Sequence, residues 1–179
     1  MGKTDGSMDV RALVDQHYEM LYRFAYRLSG SGAEAEDLTQ DTFCTAQEKI
    51  AQLRDPASAR GWLCKILRNH FLMARRRYTE VSIESLEDLA VEPATAEDGP
   101  REIDAERVQE VLRELPEPFR TPVILFYFEE FSYRQIAEQL GVPIGTVMSR
   151  LARAKNFLRA HLQAHCVAVH VNPSVPGVP

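Results

Sequence analysis

Apolar positions along this chain recur at three- and four-residue steps, the spacing that places them on one face of a helix. Leu13, Val14, His17, Tyr18, Leu21, Tyr22, Ala25 and Leu28 make a first amphipathic helix, which Ser29–Gly32 breaks. A second follows from about Ala33 to Leu53, with Glu34, Glu36 and Asp37 near the positive end of its dipole. Asp55-Pro56 marks a loop, and a third helix runs from about Ser58 to Arg77 with Trp62, Leu63, Ile66, Leu67 and Phe71 on its apolar face. Helical spacing returns over Ile103–Leu115, is punctuated by Pro116 and Pro118, and continues through Val123–Phe128. Pro122 must then sit in the first turn of that helix or kink it. No strand is convincing in the N-terminal half.

The last periodic stretch, Ser132–Arg159, is the most informative. Ser132 is a good N-cap, and Ile136, Ala137 and Leu140 fall at helical spacing. Gly141 supplies a turn, Pro143 can open the next helix, and Val147, Leu151, Ala154 and Leu158 turn one apolar stripe inward. Two helices joined this tightly match the DNA-binding helix-turn-helix, whose second helix enters the major groove. An ordinary helical hairpin with a solvated basic face has the same pattern. The prediction is an all-α chain of two small helical domains, 9–77 and 104–163, joined by a flexible linker, 78–103. The first ten residues read as frayed, and 164–179 as a flexible tail.

A net charge of −5 argues against nucleic acid until it is mapped. Between Tyr78 and Glu106 ten acids face Arg101 alone, so the deficit belongs to the linker, which also carries Pro93, Gly99 and Pro100. The helix before it holds Arg60, Lys65, Arg68, Arg75, Arg76 and Arg77 with no acid. Ser132–His165 holds Arg134, Arg150, Arg153, Lys155 and Arg159 against Glu138. Two basic blocks thus flank an acidic connector, as a nucleic-acid binder requires.

Other classes find little support. No apolar run approaches a membrane span and no basic-then-apolar leader opens the chain, so membrane insertion is not expected and a cytoplasmic location is. Cys44, Cys64 and Cys166 are an odd, widely spaced set without C-x-x-C, which argues against a disulfide framework. Phosphate-cradling glycine loops, HExxH and nucleophile elbows are missing, so no enzyme, cofactor or metal is expected. His161, His165, Cys166 and His170 cluster, but four ligands within ten residues and without a supporting core are more often incidental.

Three blocks in order carry a family resemblance: AEDLTQDTF (Ala35–Phe43), ARGWLCKILRN (Ala59–Asn69), and LPEPFR (Leu115–Arg120) followed by FSYRQIAEQLGVPIGTVMSRLARAK (Phe131–Lys155). Over Asp9–Gln163 the chain resembles a bacterial RNA polymerase sigma factor of the extracytoplasmic-function type, in the sigma-70 family. The resemblance implies core RNA polymerase and promoter DNA as partners, with an anti-sigma protein a further one. It implies that Asp37, Leu38, Gln40, Asp41 and Phe43 dock on a coiled coil of the polymerase's largest subunit. Gln47 stands where the family usually has an aromatic.

The helix bearing Arg60, Lys65, Arg68, Asn69, Arg75 and Arg76 is implied to open the downstream promoter element and hold its extruded strand. That task needs cations for phosphate and a polar group for a base edge. The loop Leu53–Ala59 would rim the pocket, with Trp62 more a core residue than a stacking platform. Met73 departs from a position that is often acidic. Met148, Ser149, Arg150, Arg153 and Lys155 are implied to face the upstream element, with Tyr133 and Arg134 on phosphate. Met148 replaces a usually basic residue and suits a thymine methyl.

The resemblance implies two promoter elements one and a half to two DNA turns apart, roughly 50–70 Å at ~34 Å per turn. A 26-residue linker spans about 30 Å when relaxed and about 90 Å when extended. The linker therefore bridges them only when stretched. The rival reading is a stand-alone helix-turn-helix regulator, which leaves the first two blocks without a role.

Overall fold

The computed structural model describes residues 9–78 and 104–168. Three helices form an N-terminal unit: α1 (Val10–Ser29), α2 (Gly32–Lys49) and α3 (Ala59–Tyr78). Four form a C-terminal unit: α4 (Ala105–Glu114), α5 (Glu117–Tyr127), α6 (Tyr133–Leu140) and α7 (Ile144–Ala168). No strand occurs among the described residues, and none of their helices is long and apolar enough to cross a membrane.

Local chemistry explains the boundaries. Asp9 caps α1 by accepting from Arg11 N at 3.1 Å, and Ser31 caps α2 by accepting from Glu34 N at 3.4 Å. Ser132 and Gln135 form a reciprocal capping box on α6, with Ser132 N donating to Gln135 Oε1 at 2.9 Å. Gly141 ends α6 at φ 65°, a left-handed conformation that a side chain resists, and so makes the tight turn into α7.

The helices depart from the apolar pattern in four places. The second helix stops at Lys49 and finishes in a single 3-10 turn, Ile50–Gln52, rather than running to Leu53 as a regular helix. Asp55 starts another short turn by accepting from Ala57 N at 3.0 Å, which leads directly into α3. Pro122 lies buried inside α5 because Pro118 already occupies its first turn. α7 continues to Ala168, past residue 163, since nothing before Pro173 breaks it. The acidic stretch 79–103, the first eight residues and 169–179 lie outside the described residues.

Leu13, Leu21, Phe24, Leu28, Leu63, Leu67 and Phe71 fill the first unit, and Leu112, Leu115, Ile124, Leu125, Ile136 and Val147 the second. These are parts of one continuous apolar cluster, because the units pack together: α1 lies against α4 and α5, and α3 against α6. The two helical domains expected on either side of the linker also share an interface among the described residues.

Arg120 is the polar centre of that interface. Its side chain is buried, and it donates to Leu28 O of α1 at 2.7 Å, to Leu115 O at 2.8 and 3.0 Å, and to Arg113 O. Burial, reinforced by the charge of Arg75, pushes its guanidinium down to about 10, which still leaves it charged at neutral pH. Gln109 adds a second link, donating to the terminal carbonyls of α1 at Tyr26 (3.2 Å) and Arg27 (3.3 Å). Tyr26 O also accepts from Gly30 N at 2.7 Å, whereas for Arg27 O, at the helix end, the other unit supplies the donor.

Candidate functional site

The described residues present three polar faces, each on a helix whose other side is core. On α2, Asp37, Gln40 and Asp41 are exposed and share one side at three- and four-residue spacing. Leu38 and Phe43, expected to anchor a partner at the same face, are instead 5 % and 8 % exposed and belong to the core. Their places in the helical repeat point inward, so they support the acidic face from beneath. The open apolar surface nearby is Tyr18 of α1, 45 % exposed and stacked on Phe43 with ring centroids 6.4 Å apart. Tyr18 belongs to the apolar repeat of the first helix, yet its ring is open to solvent. Gln47 is also exposed.

On α3, Lys65, Asn69 and Arg75 are exposed, and the Arg75 guanidinium lies 5.0 Å over the Phe71 ring. Arg60 and Arg68 are different, for each is held by an acid of the C-terminal unit. Arg68 Nε donates to Glu117 Oε1 at 3.0 Å, and Thr121 Oγ1 donates to the same oxygen at 2.9 Å. Arg60 Nη2 donates to Glu129 Oε2 at 3.1 Å and to the Glu129 backbone carbonyl. The side chains of Arg76 and Arg77 lie outside the described residues.

Glu129 is a site residue that the sequence did not disclose. It is 2 % exposed, and Arg27 Nη1 approaches its other oxygen at 3.9 Å. Burial pushes its carboxyl up, opposed by the hydrogen bond and charge of Arg60 and by the charges of Arg27 and Arg23. The loop that presents it bends sharply: Glu130 sits at φ 54°, a region that non-glycine residues rarely adopt. The surrounding sequence, Phe128-Glu-Glu-Phe131, holds the one available signal, acids set between aromatics. Both rings meet arginine from the other unit, with Arg27 4.2 Å over Phe128 and Arg60 5.0 Å over Phe131.

Beside this clasp, Gln139 of α6 donates to Gly61 O at 2.7 Å. A Cβ on Gly61 would stand 2.6 Å from the Gln139 amide nitrogen, so a side chain there would push that amide aside. Arg60, Trp62 and Lys65 of α3 and Gln135 and Glu138 of α6 line the resulting groove, with Trp62 partly buried against the core. Cys64 is buried on the inner side of α3, where desolvation pushes its thiol up to about 12 and leaves it unreactive.

The third face is the helix-turn-helix. Tyr133, at the start of α6, is 39 % exposed and stacks on Phe126 with centroids 4.9 Å apart. Arg134 is exposed and pairs loosely with Glu138 at 3.4 Å. Along α7, Met148, Ser149, Arg153 and Lys155 are exposed and Arg150 is half-buried, while Val147, Leu151 and Ala154 pack inward. Among the described residues no acid pairs with Arg150, Arg153, Lys155 or Arg159, so these cations are open to an anionic partner. His161 stacks on Phe157 at 3.8 Å and bonds its carbonyl at 2.9 Å. The side chains of His165 and Cys166, and all of His170, lie outside the described residues.

Comparison with known proteins places these faces in a family. Residues 13–80 match sigma-70 region 2, and residues 105–158 match sigma-70 region 4. Over 159 residues the chain is 40 % identical to the ECF RNA polymerase sigma factor SigE of Mycolicibacterium smegmatis, covering 86 % of this chain and 61 % of that one. It is 34 % identical to SigL of Mycobacterium tuberculosis, covering 86 % of this chain and 89 % of the relative. Among solved structures, the sigma factor RpoE in complex with the anti-sigma factor NepR from Bartonella quintana superposes with a TM-score of 0.69. Identity there is 31 %, over 86 % of this chain and 96 % of that one. CnrH, solved with the cytosolic domain of CnrY, superposes with a TM-score of 0.63 at 26 % identity, over 87 % of this chain and 88 % of that one. Matched in both regions, in order, and 34 % identical to SigL over 89 % of that relative, the chain belongs to the extracytoplasmic-function sigma factors of RNA polymerase.

Proposed function

We propose that this protein binds core RNA polymerase through α2, opens promoter DNA with α3 and reads the upstream element with α7, acting in the cytoplasm as an initiation factor rather than a catalyst. The observation that carries the reading is the separation of the three polar faces. Asp37, Gln40 and Asp41 stand clear on one helix, Lys65, Asn69 and Arg75 on the next, and Met148, Ser149, Arg153 and Lys155 on a third. Acids and an amide suit a basic partner helix, whereas the other two sets suit phosphate and bases. Residues 9–77 and 104–163 are the corresponding functional units, and the acidic connector spans the distance between promoter elements.

Reversing charge with Asp37→Lys and Asp41→Lys together should weaken core binding at least tenfold and leave the fold intact, because both side chains are exposed. Titration of core polymerase with the folded double variant checks this; unchanged affinity moves docking to another surface. The rival regulator is tested alongside. Tight operator-type binding of the free chain to duplex, with no affinity for core, favours it over a sigma factor.

The closed packing bears on promoter opening. Arg60 and Arg68 reach DNA only after leaving Glu129 and Glu117, so engagement of the downstream element requires the units to separate. An anti-sigma partner, as NepR is for RpoE in the solved complex, would act on this equilibrium by favouring one arrangement. Arg68→Ala and Asn69→Ala should lower open-complex formation more than closed-complex binding, because their contacts form with unpaired strand. Permanganate reactivity of unpaired thymines reports this, and normal melting by both variants transfers the pocket elsewhere.

A further inference from the structure

Residues 144–149, which open α7, carry no charge. Ile144, Gly145, Met148 and Ser149 are all exposed there, Ile144 at 49 % and Met148 at 53 %. Cations begin only further along, at Arg150, Arg153, Lys155 and Arg159. Ile144 and Met148 are four residues apart, so the two side chains lie one above the other on the helix. Ser149 donates its hydroxyl proton to Thr146 O at 3.0 Å, which leaves this edge poor in donors.

Gly145, beside them, is not required by the fold. It is not among the glycines with positive φ, and a Cβ built on it meets nothing within 4 Å. Alanine is the better helix former, so glycine here fits a helix whose backbone is approached closely from outside. An apolar, smooth tip continuing into a basic shaft needs a partner that is apolar at its edge and anionic behind. A major-groove edge bearing thymine methyl groups, flanked by phosphates, has that arrangement.

We infer that Ile144 and Met148 are specificity-determining residues that read thymine 5-methyl groups in the upstream element, with Gly145 allowing the helix to lie against the base edges. The inference rests on α7 being the recognition helix. It differs from readout by arginine, because it assigns base preference to methyl contacts and leaves the cations to other bases and phosphate.

Deoxyuridine pairs like thymidine and lacks only the methyl group, which makes it the direct probe. Reconstituted holoenzyme is first run on a promoter library with a randomised upstream element. The preferred promoter is then synthesised with deoxyuridine at each thymidine in turn. Wild-type holoenzyme should bind about fourfold more weakly for each contacted methyl lost, the ratio expected for about 0.8 kcal/mol per buried carbon. Holoenzyme carrying Ile144→Ala and Met148→Ala should be indifferent to the same swap. Gly145→Ala should lower promoter affinity without lowering the unfolding midpoint of the free protein.

Intact promoter selectivity with deoxyuridine tolerated at every position overturns the inference alone. So does a methyl penalty that the double variant retains. Wild-type promoter affinity in Gly145→Ala removes the close approach. Loss of all upstream selectivity by the wild-type holoenzyme overturns the recognition-helix reading, and the inference falls with it.

Discussion

Arg120→Ala should destabilise the protein by about 3–5 kcal/mol, because several buried carbonyl acceptors lose their donor together. The side chain is 6 % exposed and satisfies carbonyls at Leu28, Arg113 and Leu115. Truncation leaves those buried acceptors without a donor and opens a cavity in the same place, and each unsatisfied group adds about 1–3 kcal/mol. Only Leu28 belongs to the N-terminal unit, so the damage extends to the interface as well as to the α4–α5 corner. Arg120→Lys should recover part of the loss, because an ammonium keeps the charge but cannot match the planar fork that reaches several carbonyls at once. Urea unfolding of the three proteins measures this. A loss below 1 kcal/mol in the alanine variant would show that water replaces the guanidinium and that the site is not a structural hub.

Alanine at both Arg150 and Arg153 should have the next largest effect, on upstream recognition and not on the fold. Neither residue pairs with an acid among the described residues, so their removal leaves no buried charge behind. They are not equivalent, for Arg153 is exposed and Arg150 half-buried along the side of the helix. An arginine that reads guanine contributes about 1–3 kcal/mol at one base pair, and its loss relaxes preference there. One that grips phosphate weakens binding to every sequence and lowers the salt slope by about one. Transcription from a promoter library at two salt concentrations separates the cases for each single variant. Wild-type activity and selectivity in the double variant would remove α7 from DNA recognition.

Much of this molecule is written in short-range pattern. The stripe Val147, Leu151, Ala154 and the cap, turn and proline at Ser132, Gly141 and Pro143 specify the helix-turn-helix, because caps and helical periodicity act within a few residues. The exposure of Asp37, Gln40 and Asp41 follows in the same way from their spacing on a helix whose other side is apolar. The charge map also belongs to the sequence, since the acidic stretch can be told from the basic helices by counting alone.

Burial of individual side chains was less legible. Leu38 and Phe43 read from the sequence as partner anchors, and the packing of α1 and α3 against α2 buries both side chains. Tyr18 went the other way, since a place in an apolar repeat says which side of a helix a residue takes and not where the neighbouring helix ends.

The association of the two units was decided by tertiary structure alone. Nothing local links Glu129 to Arg60, Glu117 to Arg68, or Arg120 to Leu28, which are separated by 69, 49 and 92 residues. An acid in FEEF and an arginine in LPEPFR look like surface residues until the partner that satisfies them is in place. The sequence by itself determined the helices, their caps and the distribution of charge, because these depend on neighbours along the chain. Which charges are buried, which are paired across the units and which stay open to DNA depended on contacts made only when distant segments meet.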